Sequence, residues 1–116
     1  MLPPYHLALH QPPLAVWPTL TVTARGRVYL SKALLTTLGL RAGQPVDLLP
    51  PSAEHAPWQL DLRPTAARRL HWYPDTRPRI DGVRLPAALV AAGVRLTLAL
   101  APTPGPGLRL YPLTAA

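Results

Sequence analysis

Short segments in which polar and apolar residues alternate recur along this chain, and they limit its fold more than any other feature of the sequence. The first two occupy residues 19–23 and 27–30, and the turn between them contains Gly26. Alternation with a period of two is typical of strands that bury one face. Two strands alone leave that apolar face in water, so further strands must complete the core. The alternation therefore predicts a mostly β protein.

A short helix interrupts this β pattern. Ser31 is a residue type that caps helices, residues 32–38 place their leucines on one face, and Gly39 suits the left-handed position that ends a helix. Further strands are predicted at residues 45–49 and 58–62, on either side of a loop. Together these elements form a β-α-β-β unit, whose first element is a strand, a turn and a strand.

The same order of elements returns in a degenerate second copy. The first unit spans about residues 20–62, an Arg- and Pro-rich connector spans residues 63–78, and the second unit spans about residues 79–113. Because so small a unit leaves its sheet half exposed, it needs a second unit to close it, which favours a single domain over residues 19–116. In the second unit we expect strands at residues 79–85, 95–100 and 108–111. We also expect a helix that has Pro86 at its first position and continues through residues 87–92.

Positive charge is the second strong feature of the chain. There are 12 Lys and Arg against 5 Asp and Glu, which gives a formal net charge of +7. Such a surface attracts polyanions, nucleic acids among them. The excess of Arg can also reflect a GC-rich genome, and the composition alone does not separate the two explanations. The chain has no Cys, which excludes disulfides and thiolate zinc sites.

The N-terminal stretch, residues 1–18, is apolar but contains five prolines and lacks a basic start. These features are unlike a signal peptide and exclude a membrane-spanning helix there. We predict an extended, Pro-rich arm that lies across a surface or reaches a partner. Because the remaining sequence has no apolar run long enough to cross a bilayer, we expect a soluble, cytoplasmic protein.

A family resemblance lies in two runs of the first unit. They are Leu-Thr-Val-Thr-Ala-Arg-Gly-Arg-Val-Tyr-Leu-Ser-Lys at residues 20–32 and Leu-Gly-Leu-Arg-Ala-Gly-Gln-Pro-Val-Asp-Leu at residues 38–48, and they are similar to the SpoVT/AbrB domain. In that family a strand ends in Ile-Pro-Lys, and a short helix leads to Leu-Gly-Leu, a basic residue and a Gly-Asp turn. Ser31 stands where the family usually has Pro, and Gln44 where it usually has Asp. The second copy keeps the Leu-Pro pair at residues 85–86 but lacks the Gly-Asp turn.

The resemblance implies a swapped-hairpin, double-psi-like β-barrel with two short helices. Both β-α-β-β repeats come from one chain here, which implies a pseudo-dimer, either as a monomer with pseudo-twofold symmetry or within a homodimer. It also implies a transcriptional regulator or antitoxin that binds double-stranded DNA and needs no cofactor.

Six basic residues are the predicted DNA contacts. The resemblance points to the turn around Gly26 and the strand after it, and the second copy supplies their pseudo-symmetric counterparts. Arginines on a two-stranded element can contact phosphates or bases in the major groove, although solvated side chains on exposed strands would show the same pattern. The six are Arg25, Arg27, Lys32, Arg41, Arg79 and Arg84.

The connector mixes basic and aromatic residues, namely Arg68, Arg69, Trp72 and Tyr73. Such a mixture can bind single-stranded nucleic acid by stacking, or contact another partner. The aromatic side chains can instead seal one end of the barrel. A short strand is conceivable at residues 70–73.

Catalysis and metal binding are not expected. No His lies beside a carboxylate in a recognisable setting, and the prolines around His6 and His10 disfavour the helix that would place both on one metal. The main alternative to DNA binding is a protein–protein interaction module that binds a toxin or another partner through the barrel or the Pro-rich arm. An RNA-binding or toxin-like barrel is the third hypothesis.

Overall fold

The computed structural model describes residues 17–93, 95–101 and 109–115. Their strands are β1 (Thr19–Val22), β2 (Val28–Leu30), β3 (Pro45–Leu49), β4 (Trp58–Asp61), β5 (Arg68–Arg69), β6 (Arg79–Ile80), β7 (Leu96–Leu100) and β8 (Leu110–Ala115). The helices are α1 (Lys32–Leu38) and α2 (Ala87–Ala92). The prediction of a mostly β protein with short helices is confirmed. The predicted arm, apart from Trp17 and Pro18, lies outside the described residues, as do His6 and His10.

The eight strands form one antiparallel sheet that closes almost completely into a barrel. Their order is β5-β3-β4-β8-β7-β1-β2-β6. The two ends of this sheet meet just beyond β5, where the N–H of His71 donates to the carbonyl oxygen of Arg79 and the N–H of Arg79 donates to that of His71, both at 2.9 Å. Closure of this kind leaves few strand edges unpaired.

The hairpins β1–β2 and β3–β4 are not neighbours in the sheet. The hairpin β7–β8 lies between β1 and β4, so it separates the hairpin β1–β2 from the hairpin β3–β4. When β1 to β4 are exchanged with β5 to β8 in order, the β2–β6 and β4–β8 pairings are unchanged and the others are exchanged with one another. The His71–Arg79 bridge then takes the place of a β5–β6 ladder. The strand order is therefore two-fold symmetric, although the lengths of the strands are not.

Alternation in the strands produces the core, as predicted. In β1 and β2 the side chains of Leu20, Val22, Val28 and Leu30 point inward and are buried. The core is aliphatic and includes further buried residues from the other strands and from α1, namely Leu34, Leu35, Val46, Leu48, Leu60, Ile80, Leu98 and Leu113. With no Phe and no Cys in the chain, this packing of Leu, Val and Ile is what holds the barrel together.

Helix α1 begins and ends where the sequence predicts. The hydroxyl of Ser31 accepts the N–H of Leu34 at 3.1 Å and the N–H of Thr19 at 3.0 Å. Gly39 ends the helix in the left-handed region, with φ of 63°. The cap therefore also fastens the helix to the start of β1.

The structure differs from prediction in three segments. The strand expected at residues 79–85 is only Arg79–Ile80, because Gly82 adopts a φ of 73° and bends the chain away from the ladder. In place of the short strand considered at residues 70–73, the structure has β5 at Arg68–Arg69 and an isolated bridge from His71 to Arg79. The last strand, expected at residues 108–111, is observed at Leu110–Ala115, closer to the C-terminus. In the described part of the chain, neither helix has the length and apolar character needed to cross a membrane.

Candidate nucleic-acid interface

Four adjacent strands, β7, β1, β2 and β6, present one outward surface on which polar side chains face solvent. Thr97, Thr21, Tyr29 and Arg79 lie opposite one another in consecutive pairs across these strands. Their neighbours in β1, β2 and β6 are buried, as is Leu98 beside Thr97, so alternation directs these four side chains outward. We call this surface, with Arg27 added from the end of β2, the Tyr29 face.

A charged cluster lies at one side of the Tyr29 face. Nε of Arg27 is 3.0 Å from Oδ1 of Asp81, and Nε of Arg79 is 3.1 Å from Oδ2 of the same carboxylate. Nε2 of His71 is 3.9 Å from that Oδ2. One carboxylate thus orders two arginines that are 52 positions apart in sequence, counted from 27 to 79. Partial burial opposes the ionisation of Asp81, but the hydrogen bonds and charges of Arg79 and then Arg27 outweigh it and lower its pKa.

Tyr29 is affected by the same arginines. A hydrogen bond from Arg27 to the phenolate is the main cause of a lowered pKa at Tyr29, and partial burial opposes it. That contact, followed by the attraction of Asp81, raises the pKa of the Arg27 guanidinium. The guanidinium of Arg77 lies over the ring of Tyr29, 4.3 Å from its centroid. The aromatic ring is therefore flanked by cations, a geometry that stabilises both partners.

The turn between β1 and β2 forms the wall of a first groove. A β-carbon at Gly26 would lie 2.7 Å from the carbonyl oxygen of Val83, and its φ is 81°, so both space and conformation require glycine. The N–H of Val83 donates to the carbonyl oxygen of Gly26 at 2.9 Å. The groove, which we call the Arg25 groove, has a volume of about 450 Å³. Its lining includes the side chains of Thr23, Arg25, Arg27, Tyr29, Asp81 and Arg95.

A second and larger groove lies on the other side of Tyr29. This Trp72 groove has a volume of about 680 Å³ and extends from β1 and β2 to the loop at residues 72–78. Its side chains include Thr21, Tyr29, Lys32, Trp72, Asp75 and Arg77. Tyr29 lines both grooves, so the two are neighbours across its ring.

A third groove begins on the far side of Trp72. This Tyr73 groove has a volume of about 380 Å³, and Arg69, Leu70, His71, Trp72 and Tyr73 line it together with Ala42 and Gly43. Nη1 of Arg69 donates to the carbonyl oxygen of Gly43 at 3.2 Å. Trp72 is 38% exposed and Tyr73 57% exposed. Both aromatic side chains are therefore at least partly accessible from solvent.

The predicted DNA contacts separate into groups. Arg25, Arg27 and Arg79 come together on or beside the Tyr29 face, while Lys32 lies in the Trp72 groove. Arg84 is exposed and follows Val83, whose backbone contacts the Gly26 turn.

Arg41 lies apart from this group, in the turn after α1. Its N–H donates to Oε1 of Gln44, so the Gln44 side chain closes the turn. Of the connector arginines, Arg69 lines the Tyr73 groove, whereas Nε of Arg68 is buried and has no hydrogen-bond partner among the described residues.

Sequence reasoning missed Arg95, Tyr29 and Asp81 as members of this site. Alternation along the strands could have identified two of them. Tyr29 lies between the buried Val28 and Leu30, and Arg95 is two residues from Thr97 and so belongs to the same face of its strand. Nothing local indicates that Asp81 meets Arg27, since that contact depends on the register between β2 and β6.

No family model, curated protein or solved structure matches this chain. Its function must therefore be inferred from its own residues. In the described part of the chain, no group of three or more His, Asp or Glu residues is placed to hold a metal ion. The most distinctive surface is the Tyr29 face with its grooves.

Proposed function

We propose that this protein is a DNA-binding regulator or antitoxin similar to SpoVT/AbrB proteins, and that the Tyr29 face contacts duplex DNA. The observation behind the proposal is that Arg25, Arg27 and Arg95 line one outward groove in which Asp81 is the only acid among the described residues. Arginine forks suit phosphate oxygens and guanine edges, and the threonine hydroxyls beside them can add phosphate contacts.

The strand order supports the finer assignment of the fold. A swapped-hairpin barrel needs hairpins from two units that interlock, and β7–β8 lies between the hairpins of the first unit. In this proposal one chain supplies both halves, so the protein acts in the cytoplasm as a pseudo-symmetric monomer, without catalysis or a cofactor.

The Asp81 cluster would prepare two arginines for DNA. Side chains as long as Arg lose rotamer freedom when they bind, and prior ordering reduces that cost. Asp81 holds Arg27 and Arg79 extended across β2 and β6 through their Nε atoms. The guanidinium N–H groups of Arg27 that contact neither Asp81 nor Tyr29 stay available for phosphates, since the side chain is half exposed.

A pair of charge reversals tests the proposal. Arg25 and Arg109 are both exposed, and neither side chain forms an ion pair with a described residue. Arg109 lies just before β8, where its carbonyl oxygen accepts the N–H of Leu62, and it is not among the described residues that line the Arg25 groove. We expect Arg25→Glu to weaken duplex binding by about 10- to 100-fold, because a phosphate contact is lost and repulsion replaces it, and to make the salt dependence less steep by about one unit.

The measurement is fluorescence anisotropy of a labelled duplex at several salt concentrations, with thermal unfolding of each variant in parallel. Arg109→Glu changes the net charge equally and should lower affinity far less. Equal losses in the two variants would show a response to net charge alone. Failure of the unmodified protein to bind duplex at about 50 mM salt, where electrostatic binding is strong, would remove the proposal.

Helix α2 supports a second candidate, a protein–protein interaction module. None of its residues, all of them described, is buried, and all are apolar. An apolar helix without a buried face is unusual in an isolated domain. If α2 binds a toxin, Val90→Glu should prevent formation of that complex in sedimentation experiments and leave DNA binding unchanged.

A further inference from the structure

We infer that the chain also binds single-stranded nucleic acid, along a track formed by the Tyr73, Trp72 and Arg25 grooves. This inference goes beyond the proposed binding of duplex DNA, with which it shares the Arg25 groove, and it adds the Trp72 and Tyr73 grooves. It begins from the residues that the grooves share. Trp72 lines both the Tyr73 and the Trp72 groove, and Tyr29 lines both the Trp72 and the Arg25 groove.

An aromatic ring therefore stands at each junction of the track. Base–aromatic stacking is the usual way in which proteins hold single strands without regard to sequence. Trp72 and Tyr73 are exposed and do not belong to the buried aliphatic core, so their rings contribute surface rather than core packing. The Trp72 groove, at about 680 Å³, is within the range of pockets that bind small organic molecules, so it has room for a base.

The loop that presents these aromatic residues is held by hydrogen bonds at its base and at its tip. His71 and Arg79 exchange two backbone hydrogen bonds at 2.9 Å at the base. At the tip, the N–H of Thr76 donates to the carbonyl oxygen of Tyr73 at 3.1 Å, and the Thr76 hydroxyl accepts the N–H of Tyr73 at 3.3 Å. A loop ordered in this way reduces the entropy lost when a strand binds.

Cations accompany the aromatic rings along the whole track. Arg69 lies in the Tyr73 groove, Lys32 and Arg77 lie in the Trp72 groove, and the Arg25 groove adds its three arginines. The acids in the lining are Asp75 and Asp81, and Asp81 is already paired with Arg27 and Arg79. The track is therefore positive throughout, as a groove that follows a phosphate backbone must be.

Duplex DNA can contact the arginines of the Arg25 groove but cannot stack on the aromatic rings of the track. In a duplex the faces of the bases are stacked on one another and cannot reach aromatic rings at the junctions of concave grooves. Single strands expose those faces, and both DNA and RNA do so. The shared ligand chemistry is an unpaired, phosphate-linked strand.

The test uses labelled dT12 and rU12 with the full chain, and a 12-base-pair duplex as comparator. We expect Trp72→Ala to weaken binding of the single strand by at least about 10-fold and to leave duplex affinity within about 2-fold, because only the single strand stacks on that ring. Trp72→Phe should restore most of the loss. Val90→Ala, a change at an exposed apolar residue outside the grooves, should leave both affinities as they are.

Tyr73→Ala provides a second variant, since its ring is the most exposed of those in the track. Binding of either oligonucleotide with the expected loss in Trp72→Ala supports the inference, and a preference between them identifies the natural strand. It is overturned if neither oligonucleotide binds, if Trp72→Ala binds them like the unmodified protein, or if it loses duplex and single strand equally. Duplex binding that fails in Arg25→Glu but persists in Trp72→Ala separates this inference from the proposed function.

Discussion

The two helices occupy equivalent places in the strand order but differ in what they do. Helix α1 is capped by Ser31 and buries Leu34 and Leu35 in the core. Helix α2 begins after Pro86, has no side-chain cap, and leaves its residues exposed or half-buried. Helix α1 thus stabilises the barrel through its buried leucines, whereas α2 leaves most of its apolar surface exposed. Equivalent places in the strand order therefore do not imply equal contributions to the core.

The largest difference between the two helices should appear when their equivalent leucines are truncated. Leu34 is fully buried, whereas Leu89 only packs against the edge of the core. We expect Leu34→Ala to lower the free energy of unfolding by about 3 kcal/mol and Leu89→Ala by about 1 kcal/mol, because a buried cavity costs more than partly exposed surface. Urea unfolding of both variants measures the difference. Equal losses would show that α2 contributes to the core as much as α1.

Two glycines sharpen the comparison at the level of the backbone. Gly26 has a φ of 81° and no room for a β-carbon beside Val83, whereas Gly93, which ends α2, has a φ of 65° and nothing within 4 Å of the added carbon. Gly26→Ala should cost about 2–3 kcal/mol and Gly93→Ala about 1 kcal/mol, since only the first adds a steric clash to the left-handed strain.

Thermal unfolding of both glycine variants, with backbone structure followed by circular dichroism, provides the measurement. Gly39→Ala is the matched control in the first unit, because Gly39 also ends a helix in open space. If Gly26→Ala were no more costly than Gly39→Ala, the close contact between the β1–β2 turn and Val83 would be wrong.

The smallest expected effect concerns two carboxylates and pH. Burial opposes the ionisation of Asp61, but the hydrogen bonds and charge of Arg63 outweigh it and lower the pKa of Asp61; the pKa of Asp81 is lowered in the same direction. A pKa that is lower in the folded state stabilises the protein above the ordinary carboxyl value, about 3.9, and this stabilisation is lost as pH falls through the folded-state pKa.

We therefore expect the free energy of unfolding to decrease at pH values under about 4. Both Asp61→Asn and Asp81→Asn should weaken this pH dependence, and Asp61→Asn should weaken it more. The side chain of Asp61 is 5% exposed and that of Asp81 37%, so solvent screens the second pair more. Urea midpoints at pH 7 and pH 3 give the comparison. Unchanged pH dependence in Asp61→Asn would contradict the assigned role of its ion pair with Arg63.

Much of the first unit was predictable because its signals are local. The bounds of α1, its cap at Ser31 and its end at Gly39 follow from contacts within a few residues, and β3 lies where its residues indicate. The second unit was harder to predict. The bend at Gly82 shortens β6, and β5 formed in a connector whose two arginines have no strand pattern of their own.

The sequence by itself determined the alternating strands, the capped helix and the excess of positive charge, since each depends on neighbouring residues and on composition. Only the tertiary structure decided that β7–β8 lies between the hairpins of the first unit, and that Arg27 meets Asp81, 54 residues away. It also decided that Trp72 and Tyr29 lie at the junctions of neighbouring grooves. The reason is register: pairing between strands distant in sequence sets which outward side chains become neighbours, and no local pattern specifies that pairing.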